Sequence, residues 1–182
     1  MAEITARMVK ELRDKSGAGM MDCKSALVET DGDLDGAIDI LRTKGLSAAA
    51  KKAGRAASEG LIGVQTTETS GTIVEINSET DFVARNDTFQ SFVRNVTSLA
   101  LEVGGDFNTL KNSDYGSSGR TVEEEATQMV ATIGENINLR RSTGLVVDKG
   151  LVSEYVHNKV SDGLGKIGVL VALESDAGPD QI

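Results

Sequence analysis

The chain has 182 residues, which is enough for one medium domain or for a small domain followed by a larger one. With 39% hydrophobic and 26% charged residues, no membrane-length apolar stretch and no signal-peptide core at the N-terminus, it is predicted to be soluble and cytoplasmic. A net charge of −9 argues against direct nucleic-acid binding, and one Cys with one His excludes a disulfide framework and a standard zinc site. We therefore expect no metal and no cofactor, and no membrane or nucleic acid among the partners.

Three short helices are predicted in residues 1–45, which form a small N-terminal domain. Apolar residues recur at helical spacing in each of them, and the glycine-rich segment 16–19 separates the first two. Asp33 is the predicted N-cap of the third helix, and Gly45 is its predicted end. An Ala-rich, locally basic segment, 46–59, offers no large side chain for a core and is predicted to be a partly helical linker.

After this linker, the apolar residues no longer recur at helical spacing and instead form short continuous runs. Two β-branched runs, 61–66 and 72–77, predict a hairpin. An amphipathic helix should follow, with apolar positions from Phe82 to Ala100 and an end at Gly104-Gly105. The hairpin and this covering helix begin a core subdomain predicted to span residues 60–140.

A polar loop, 107–119, precedes a second helix in this subdomain. Thr121 and Glu124 form a T-x-x-E capping box at the start of that helix, and Gly134 is its predicted C-terminal stop. The segment 136–147 is predicted to be extended. The fold class is therefore α+β, with an N-terminal three-helix bundle and a core of antiparallel hairpins covered by helices.

The hairpin pattern recurs near the end of the chain, in residues 150–171. In the first copy a helix covers the sheet, whereas the second copy is followed by only a few residues. A two-stranded hairpin without cover is marginally stable. Either this hairpin borrows its cover from the first copy, or the chain is a fragment. We favour a fragment, in which residues 141–182 are an incomplete second core subdomain.

Three motifs suggest chemistry but have simpler interpretations. The G-x-G-x-x-G pattern at 163–168 is followed by a β-branched run instead of the helix that a dinucleotide site needs, so it predicts a hairpin turn. Cys23 lies on an apolar helical stripe and is best interpreted as a small buried side chain. His157 has no identifiable nucleophile or orienting group, so a contact residue and a surface histidine both stay open.

The most informative segment is the strand-to-helix corner at 79–82. Asp81 and Phe82 are interpreted either as a cap and the first core residue of the helix, or as a carboxylate and an aromatic ring displayed together to a partner. Met20 and Met21 follow a Gly-Ala-Gly turn. One of them should face the bundle, and the other should form an adaptable exposed contact.

The chain resembles the bacterial elongation factor Ts family in three ordered stretches: LRDKSGAGMMDCKSAL at 12–27, EINSETDFVAR at 75–85 and IGENINLRR at 133–141. The resemblance extends over essentially the whole chain and implies that family members continue beyond it. It implies an N-terminal domain similar to the ubiquitin-associated fold, and a guanine-nucleotide exchange factor, not an enzyme, for the translation GTPase elongation factor Tu. In the family, the aspartate and phenylalanine of the second motif intrude beside the partner's Mg²⁺ and loosen GDP.

The resemblance also implies a set of partner-binding residues. They are Arg13, Met20, Met21, Lys24, Thr80, Asp81, Phe82, Val83, Ile133, Gly134 and His157. A homodimer or a 2:2 complex with the partner is open. Two other functions also stay open from the residues alone: an adaptor whose bundle binds helices or ubiquitin-like proteins, and a thiol enzyme that uses Cys23.

Overall fold

The computed structural model describes residues 3–177, in which the chain forms two compact units. The first unit comprises residues 3–55 and Glu124–Asn136, and the second comprises Ala56–Glu123 and residues 137–177. Part of the predicted last subdomain, residues 178–182, lies outside the described residues.

Three helices begin the first unit: α1 (Ala6–Ser16), α2 (Met20–Glu29) and α3 (Leu34–Lys52). Thr5 caps α1 by accepting a hydrogen bond from the Met8 amide. Gly17 ends α1 with a φ of +69°, in the left-handed region that glycine adopts without strain. Asp33 caps α3 by accepting a hydrogen bond from the Asp35 amide, which confirms the predicted cap.

The helices enclose a small apolar core. Its buried members are Val9, Leu12, Ala18, Cys23, Ala26, Leu27, Ala37 and Leu41. Full burial of a Leu or Val side chain contributes roughly 1.5–3 kcal/mol to stability, so these few buried residues are important for holding the bundle together. The Cys23 side chain has no exposure, and its Sγ lies 3.7 Å from both Ser16 Oγ and the Ala18 carbonyl oxygen. The predicted burial of Cys23 is confirmed.

The third helix is longer than the sequence predicts. Its predicted end at Gly45 is wrong, because α3 continues through this residue to Lys52. The alanines at 48–50 have the highest helix propensity of any residue, and together they outweigh one glycine. A Cβ atom at Gly45 would lie 3.2 Å from Gln128 Oε1 and 3.6 Å from Ala131 Cβ, so the glycine permits close helix packing within the first unit.

Two antiparallel sheets form the second unit. The strands are β1 (Glu59–Thr66), β2 (Ser70–Ser78), β3 (Asn138–Val146), β4 (Gly150–His157), β5 (Leu164–Gly165) and β6 (Ile167–Glu174). The larger sheet has the order β3-β2-β1-β5, and the smaller sheet pairs β4 with β6. Both predicted hairpin pairs and the predicted extended segment are confirmed. The predicted subdomain boundary at 140/141 falls inside β3.

Two helices replace the single helix that the sequence predicts after the first hairpin: α4 (Asp81–Ala84) and α5 (Asp87–Glu102). The predicted continuity from Phe82 onward is wrong because Asn86 interrupts it. The Asn86 side chain accepts hydrogen bonds from the Thr88 and Phe89 amides at 2.9 and 3.1 Å and thereby caps α5. This break leaves α4 as a separate four-residue helix at the corner.

Residues 107–112 were predicted to be loop, and they form the short helix α6 (Phe107–Asn112) instead. Asp106 caps α6 by accepting a hydrogen bond from the Thr109 amide at 2.7 Å. Hydrogen bonds from the Thr109 hydroxyl and amide hold the pKa of Asp106 below its ordinary value. The last helix, α7 (Val122–Ile133), begins after Thr121 and ends at Gly134, whose φ is +90°, both as predicted.

Helix α5 covers one face of the larger sheet. Phe89 and Phe92 are 0% and 1% exposed, which confirms that both pack the helix on the sheet. A Cβ atom at Gly63 in β1 would lie 2.0 Å from Thr97 Oγ1 of α5. The glycine therefore allows the helix and the sheet to approach each other closely.

The smaller sheet packs against the opposite face of the larger one. A Cβ atom at Gly168 in β6 would lie 2.7 Å from side-chain carbons of Ile62, Val64 and Ile73. The second hairpin therefore takes the cover of its inner face from the first, which is one of the two alternatives that the sequence left open. Because β6 begins at Ile167, within the G-x-G-x-x-G segment, the predicted turn is confirmed and a strand stands where a dinucleotide site needs a helix.

The outer face of the β4–β6 pair is apolar and exposed. Its apolar side chains with 41–60% exposure are Tyr155, Ile167, Val169, Val171 and Leu173. Successive side chains of a strand alternate between faces, so this row is distinct from the inner row that meets β1 and β2.

The described part of the chain has the predicted α+β architecture, with N-terminal helices followed by a core of sheets. None of the helices within residues 3–177 is long and apolar enough to span a bilayer. Over the same residues, no group of three or more His, Cys, Asp or Glu side chains is arranged to hold a metal ion.

Candidate functional site

The corner between β2 and α5 displays an exposed aromatic ring. Phe82 is 76% exposed, more than any other large apolar side chain in residues 3–177, and Asp81 is exposed beside it. The other two phenylalanines of this segment, Phe89 and Phe92, are buried. Of the two interpretations that the sequence left open for Phe82, the exposed ring and not the core residue is therefore the one found.

Buried residues anchor the corner from below. Val83 and Ala84, the last two residues of α4, are 6% and 2% exposed. Ser78, at the end of β2, is fully buried, and its hydroxyl donates a hydrogen bond to the Thr80 carbonyl at 3.0 Å. A helix of four residues has little stability of its own, so these tertiary contacts fix its place.

The C-terminal end of α4 is closed by residues that sequence reasoning missed. The Arg85 and Asn86 amides donate to the Phe82 and Val83 carbonyls at 3.1 and 2.9 Å. The Gln90 side-chain amide donates to the Ala84 carbonyl at 3.1 Å. An Asn just before an apolar helical run is a readable N-cap signal for α5, but nothing in the sequence indicates the bond from Gln90.

Asp81 and Arg85 form an ion pair one helical turn apart. Arg85 Nη2 lies 3.4 Å from Asp81 Oδ2, and the two side chains are 75% and 50% exposed. Exposed pairs at this spacing contribute about 0.3–0.5 kcal/mol and are screened by salt. The pair orients the carboxylate weakly and leaves it free to exchange Arg85 for another partner.

The first unit displays two methionines at the start of α2. Met20 and Met21 are 51% and 70% exposed, so the prediction that one of them faces the bundle is wrong. Helical side chains point toward the N-terminus, and Met20 is the first residue of α2, so its side chain extends past the end of the bundle. Ala18, 9% exposed, occupies the apolar position there instead.

The end of α7 lies beside the same turn within the first unit. Gln128 Nε2 donates to the Ser16 carbonyl at 3.0 Å, and Thr132 Oγ1 donates to the Gly17 carbonyl at 3.4 Å. Ile133, the next residue, is half-buried, and Gly134 is exposed. The turn that precedes the two methionines therefore has the end of α7 as a neighbour.

His157 is the last residue of β4 and is exposed. Its Nδ1 lies 3.0 Å from the Tyr155 hydroxyl, and the two ring centroids are 6.1 Å apart. This pair stands on the outer face of the smaller sheet, where it can accept a polar partner group.

The predicted site residues thus fall into two groups. The first unit carries Arg13, Met20, Met21, Lys24, Ile133 and Gly134, and the second carries Thr80, Asp81, Phe82, Val83 and His157. Arg13 and Lys24 are exposed, whereas Val83 belongs to the anchor of α4. Both groups display apolar side chains next to charged ones, which suits recognition of a protein surface.

A family model described as Elongation factor TS matches residues 79–180 of this sequence. The chain belongs to the elongation factor Ts family. The match begins at Glu79, so it includes the corner with Asp81 and Phe82, the covering helix α5 and all later strands.

Curated relatives extend this similarity to the N-terminal bundle. Elongation factor Ts of Rhodospirillum rubrum is 62% identical over 183 residues, which cover 100% of this chain and 59% of the relative. Elongation factor Ts of Rhodospirillum centenum is 61% identical over 96% of this chain and 57% of the relative. Elongation factor Ts of Methylobacterium radiotolerans is 57% identical over 100% of this chain and 59% of the relative. The chain spans somewhat more than half the length of these family members.

Proposed function

We propose that this chain is a guanine-nucleotide exchange factor that binds the translation GTPase elongation factor Tu and promotes the release of GDP. The observation that carries the proposal is the anchored corner at which Phe82 is 76% exposed beside the Asp81 carboxylate. Membership in the elongation factor Ts family supports it. The proposal places the protein in the cytoplasm, at the elongation step of protein synthesis.

At the corner, Asp81 and Phe82 enter the nucleotide site of the partner and disturb its bound Mg²⁺ and phosphate groups. Magnesium requires near-ideal octahedral coordination, so a small displacement of its ligands weakens it strongly. Thr80 and Val83 flank the pair, and buried Val83 keeps the short helix on its sheet while Phe82 is pushed against the partner.

The mechanism is thermodynamic linkage and involves no covalent step, so the chain is proposed to be an exchange factor and not an enzyme. If it binds nucleotide-free partner more tightly than the GDP form, GDP must bind the complex more weakly by the same factor. Each 1.4 kcal/mol by which the chain binds the nucleotide-free form better than the GDP form weakens the affinity for GDP tenfold. No cofactor takes part on this chain's side.

The first unit supplies most of the docking contact in this proposal. Met20 and Met21 are flexible, polarisable side chains that adapt to a groove on the GTPase, and the exposed cations Arg13 and Lys24 of the same unit add charged contacts. Ile133 and Gly134 add a contact near the same turn. His157, with Tyr155, makes a separate polar contact on the smaller sheet.

The test is the release of a fluorescent GDP analogue from elongation factor Tu in the presence of excess unlabelled GDP. We expect the wild-type chain to accelerate release in a concentration-dependent manner, and the Asp81→Ala/Phe82→Ala variant to accelerate it far less while its circular dichroism spectrum is unchanged. Release at the spontaneous rate with saturating wild-type chain, or equal acceleration by the variant, contradicts the proposal.

The self-association prediction stays open alongside this function. The exposed apolar face of β4 and β6, with Val171 58% and Leu173 49% exposed, is the surface on which a second copy can pack. Sedimentation equilibrium of the chain alone and with elongation factor Tu distinguishes monomer, homodimer and 2:2 complex. A Val171→Lys substitution should shift the chain to monomer if this face is the interface.

A further inference from the structure

The carbonyl of the last α4 residue is bonded by a side chain from another helix. The last carbonyls of a helix have no partner within it. In α4 the Phe82 and Val83 carbonyls accept backbone amides, whereas the Ala84 carbonyl accepts Nε2 of Gln90 at 3.1 Å. This hydrogen bond joins the end of the displayed helix to the first turn of α5.

Gln90 is itself held firmly. Its backbone amide donates to the Asn86 carbonyl at 2.9 Å, and the preceding residue, Phe89, has no exposure. Helix α5 is seated on the sheet by further buried residues, Val93 and Val96 among them. The Gln90 side chain is therefore attached to the best-packed helix of the second unit, and its amide transmits that fixed position to α4.

Directional bonds decide how α4 is turned. Burial of Val83 and Ala84 keeps the helix on the sheet, but apolar burial is non-directional and permits rotation about the anchor. Hydrogen bonds depend on angle, and side chains bond the backbone at both ends of α4: the Ser78 hydroxyl donates to the Thr80 carbonyl before it, and the Gln90 amide donates to the Ala84 carbonyl at its end. Together they fix the direction of the helix.

We propose that Gln90 is a positioning residue that fixes the direction in which α4 presents Asp81 and Phe82, an inference that rests on the exchange function proposed above. Gln90 acts through the corner and does not contact the partner. Because Asp81 and Phe82 must enter a confined site around Mg²⁺ and phosphate, a misplacement of about 1 Å can cost up to ~100-fold in rate.

Three substitutions separate the donor from the bulk of the side chain. Gln90→Met keeps the length without a donor, Gln90→Glu replaces the donor by an acceptor that repels the Ala84 carbonyl, and Gln90→Lys supplies a donor again. In the full chain, we expect Gln90→Met and Gln90→Glu to lower the maximal rate of GDP-analogue release about five- to tenfold. The half-saturating concentration should stay within about twofold, and Gln90→Lys should retain at least half of the rate that the other two variants lose.

A merely structural role is excluded by a double-mutant cycle with Asp81→Ala/Phe82→Ala. If Gln90 acts through the corner, Gln90→Met has no further effect on the maximal rate once both displayed side chains are removed. An equal fold-change in both backgrounds, a shift confined to the half-saturating concentration, or failure of Gln90→Lys to restore the rate overturns the proposal. The unfolding temperature of each variant controls for loss of fold.

A second readout is independent of exchange, so that failure of the proposed function can be told apart from failure of this inference. The chain is labelled with 4-fluorophenylalanine, and the resonance of Phe82 is assigned by its loss in Phe82→Ala. We expect a single narrow fluorine resonance for Phe82 in the wild type, and a shifted or split one in Gln90→Met. If wild type releases no GDP analogue, the exchange function fails; if the Phe82 resonance is unchanged in Gln90→Met, the positioning role fails.

Discussion

The exposed methionines of the first unit and the exposed Phe82 of the second unit differ in how they are held. Met20 and Met21 start α2 after Gly19, an N-cap that makes no side-chain hydrogen bond. Phe82 projects from a helix whose end is tied to Gln90 and whose neighbours Val83 and Ala84 are buried. In the proposed interaction the methionine pair supplies an adaptable contact and the anchored corner a fixed one, so the two suit different steps.

The physical reason lies in side-chain freedom. Methionine has three rotatable bonds and adapts to irregular surfaces, and ordering such a side chain costs about 0.5–1.5 kcal/mol on binding. Phenylalanine has two, and the backbone of Phe82 is already fixed. We therefore expect the methionines to govern affinity for the partner and the corner to govern the rate of nucleotide release.

The largest expected effect is at the corner. Replacing Asp81 and Phe82 by alanine should lower the maximal rate of GDP-analogue release about 100-fold, as the loss of about 2.8 kcal/mol of differential contact implies. The rate is measured at saturating concentrations of the chain. Val146→Ala is the matched control, because Val146 is 67% exposed in the same unit but lies at the end of β3. A comparable loss in the control removes the special role of the corner.

The second effect concerns the methionine pair. Met20→Ala with Met21→Ala should raise the half-saturating concentration about tenfold and leave the maximal rate unchanged, because about 1.4 kcal/mol of apolar contact is lost in both the ground and the activated complex. Val28→Ala is the matched control, since Val28 is 55% exposed on the same helix and is outside the predicted contact set. If the double variant lowers the maximal rate instead, affinity and rate are not divided between the two groups.

A smaller effect is expected for the ion pair at the corner. Arg85→Ala removes an exposed partner at 3.4 Å from Asp81, so the maximal rate should change less than threefold. The difference between wild type and variant should shrink as salt is raised from about 0.05 to 0.5 M, because exposed charges are screened. A tenfold loss that persists at high salt makes Arg85 a direct contact with the partner.

The smallest effect separates the stability of the second unit from its activity. Burial acts to raise the pKa of Glu75, but the hydrogen bond from Asn77 and the hydrogen bond and charge of Arg141 outweigh it, so the pKa lies below its usual 4.5. A lowered folded-state pKa stabilises the protein above the unfolded pKa, and this contribution is lost as pH falls through the folded value.

Between pH 6 and pH 3 the free energy of unfolding should therefore fall by about 0.5 kcal/mol less in Glu75→Gln than in the wild type, as expected for a partly exposed pair. Chemical denaturation of both proteins at each pH measures this change. Exchange at neutral pH should be unaffected, since Glu75 lies in β2 and outside the predicted contact set. A parallel decline in both proteins contradicts the role assigned to Glu75.

The predictable features were those with a local cause. Gly17 and Gly134 end helices through positive φ, and β-branched runs gave both hairpin pairs, so these were readable from the sequence. These features depend on a few neighbouring residues and survive in any tertiary context.

The features that escaped prediction depend on distant partners. Gly45 reads as a helix stop, but contact with Gln128, far along the chain, makes it a packing position. Met20 follows the helical stripe, yet its side chain at the start of α2 is 51% exposed. The bond from Gln90 to the Ala84 carbonyl crosses between two helices whose separation itself was missed. Tertiary geometry decides each of these cases.

The central claim is that this chain binds nucleotide-free elongation factor Tu more tightly than the GDP form, and linkage makes it testable without rates. The measurement is the dissociation constant of the chain for elongation factor Tu, determined by titration calorimetry with and without saturating GDP. We predict at least a 100-fold weaker affinity with GDP in the wild type, and a ratio near the wild-type value in Met20→Ala/Met21→Ala. In Asp81→Ala/Phe82→Ala the ratio should fall toward one. Equal wild-type affinities in the two conditions contradict the account.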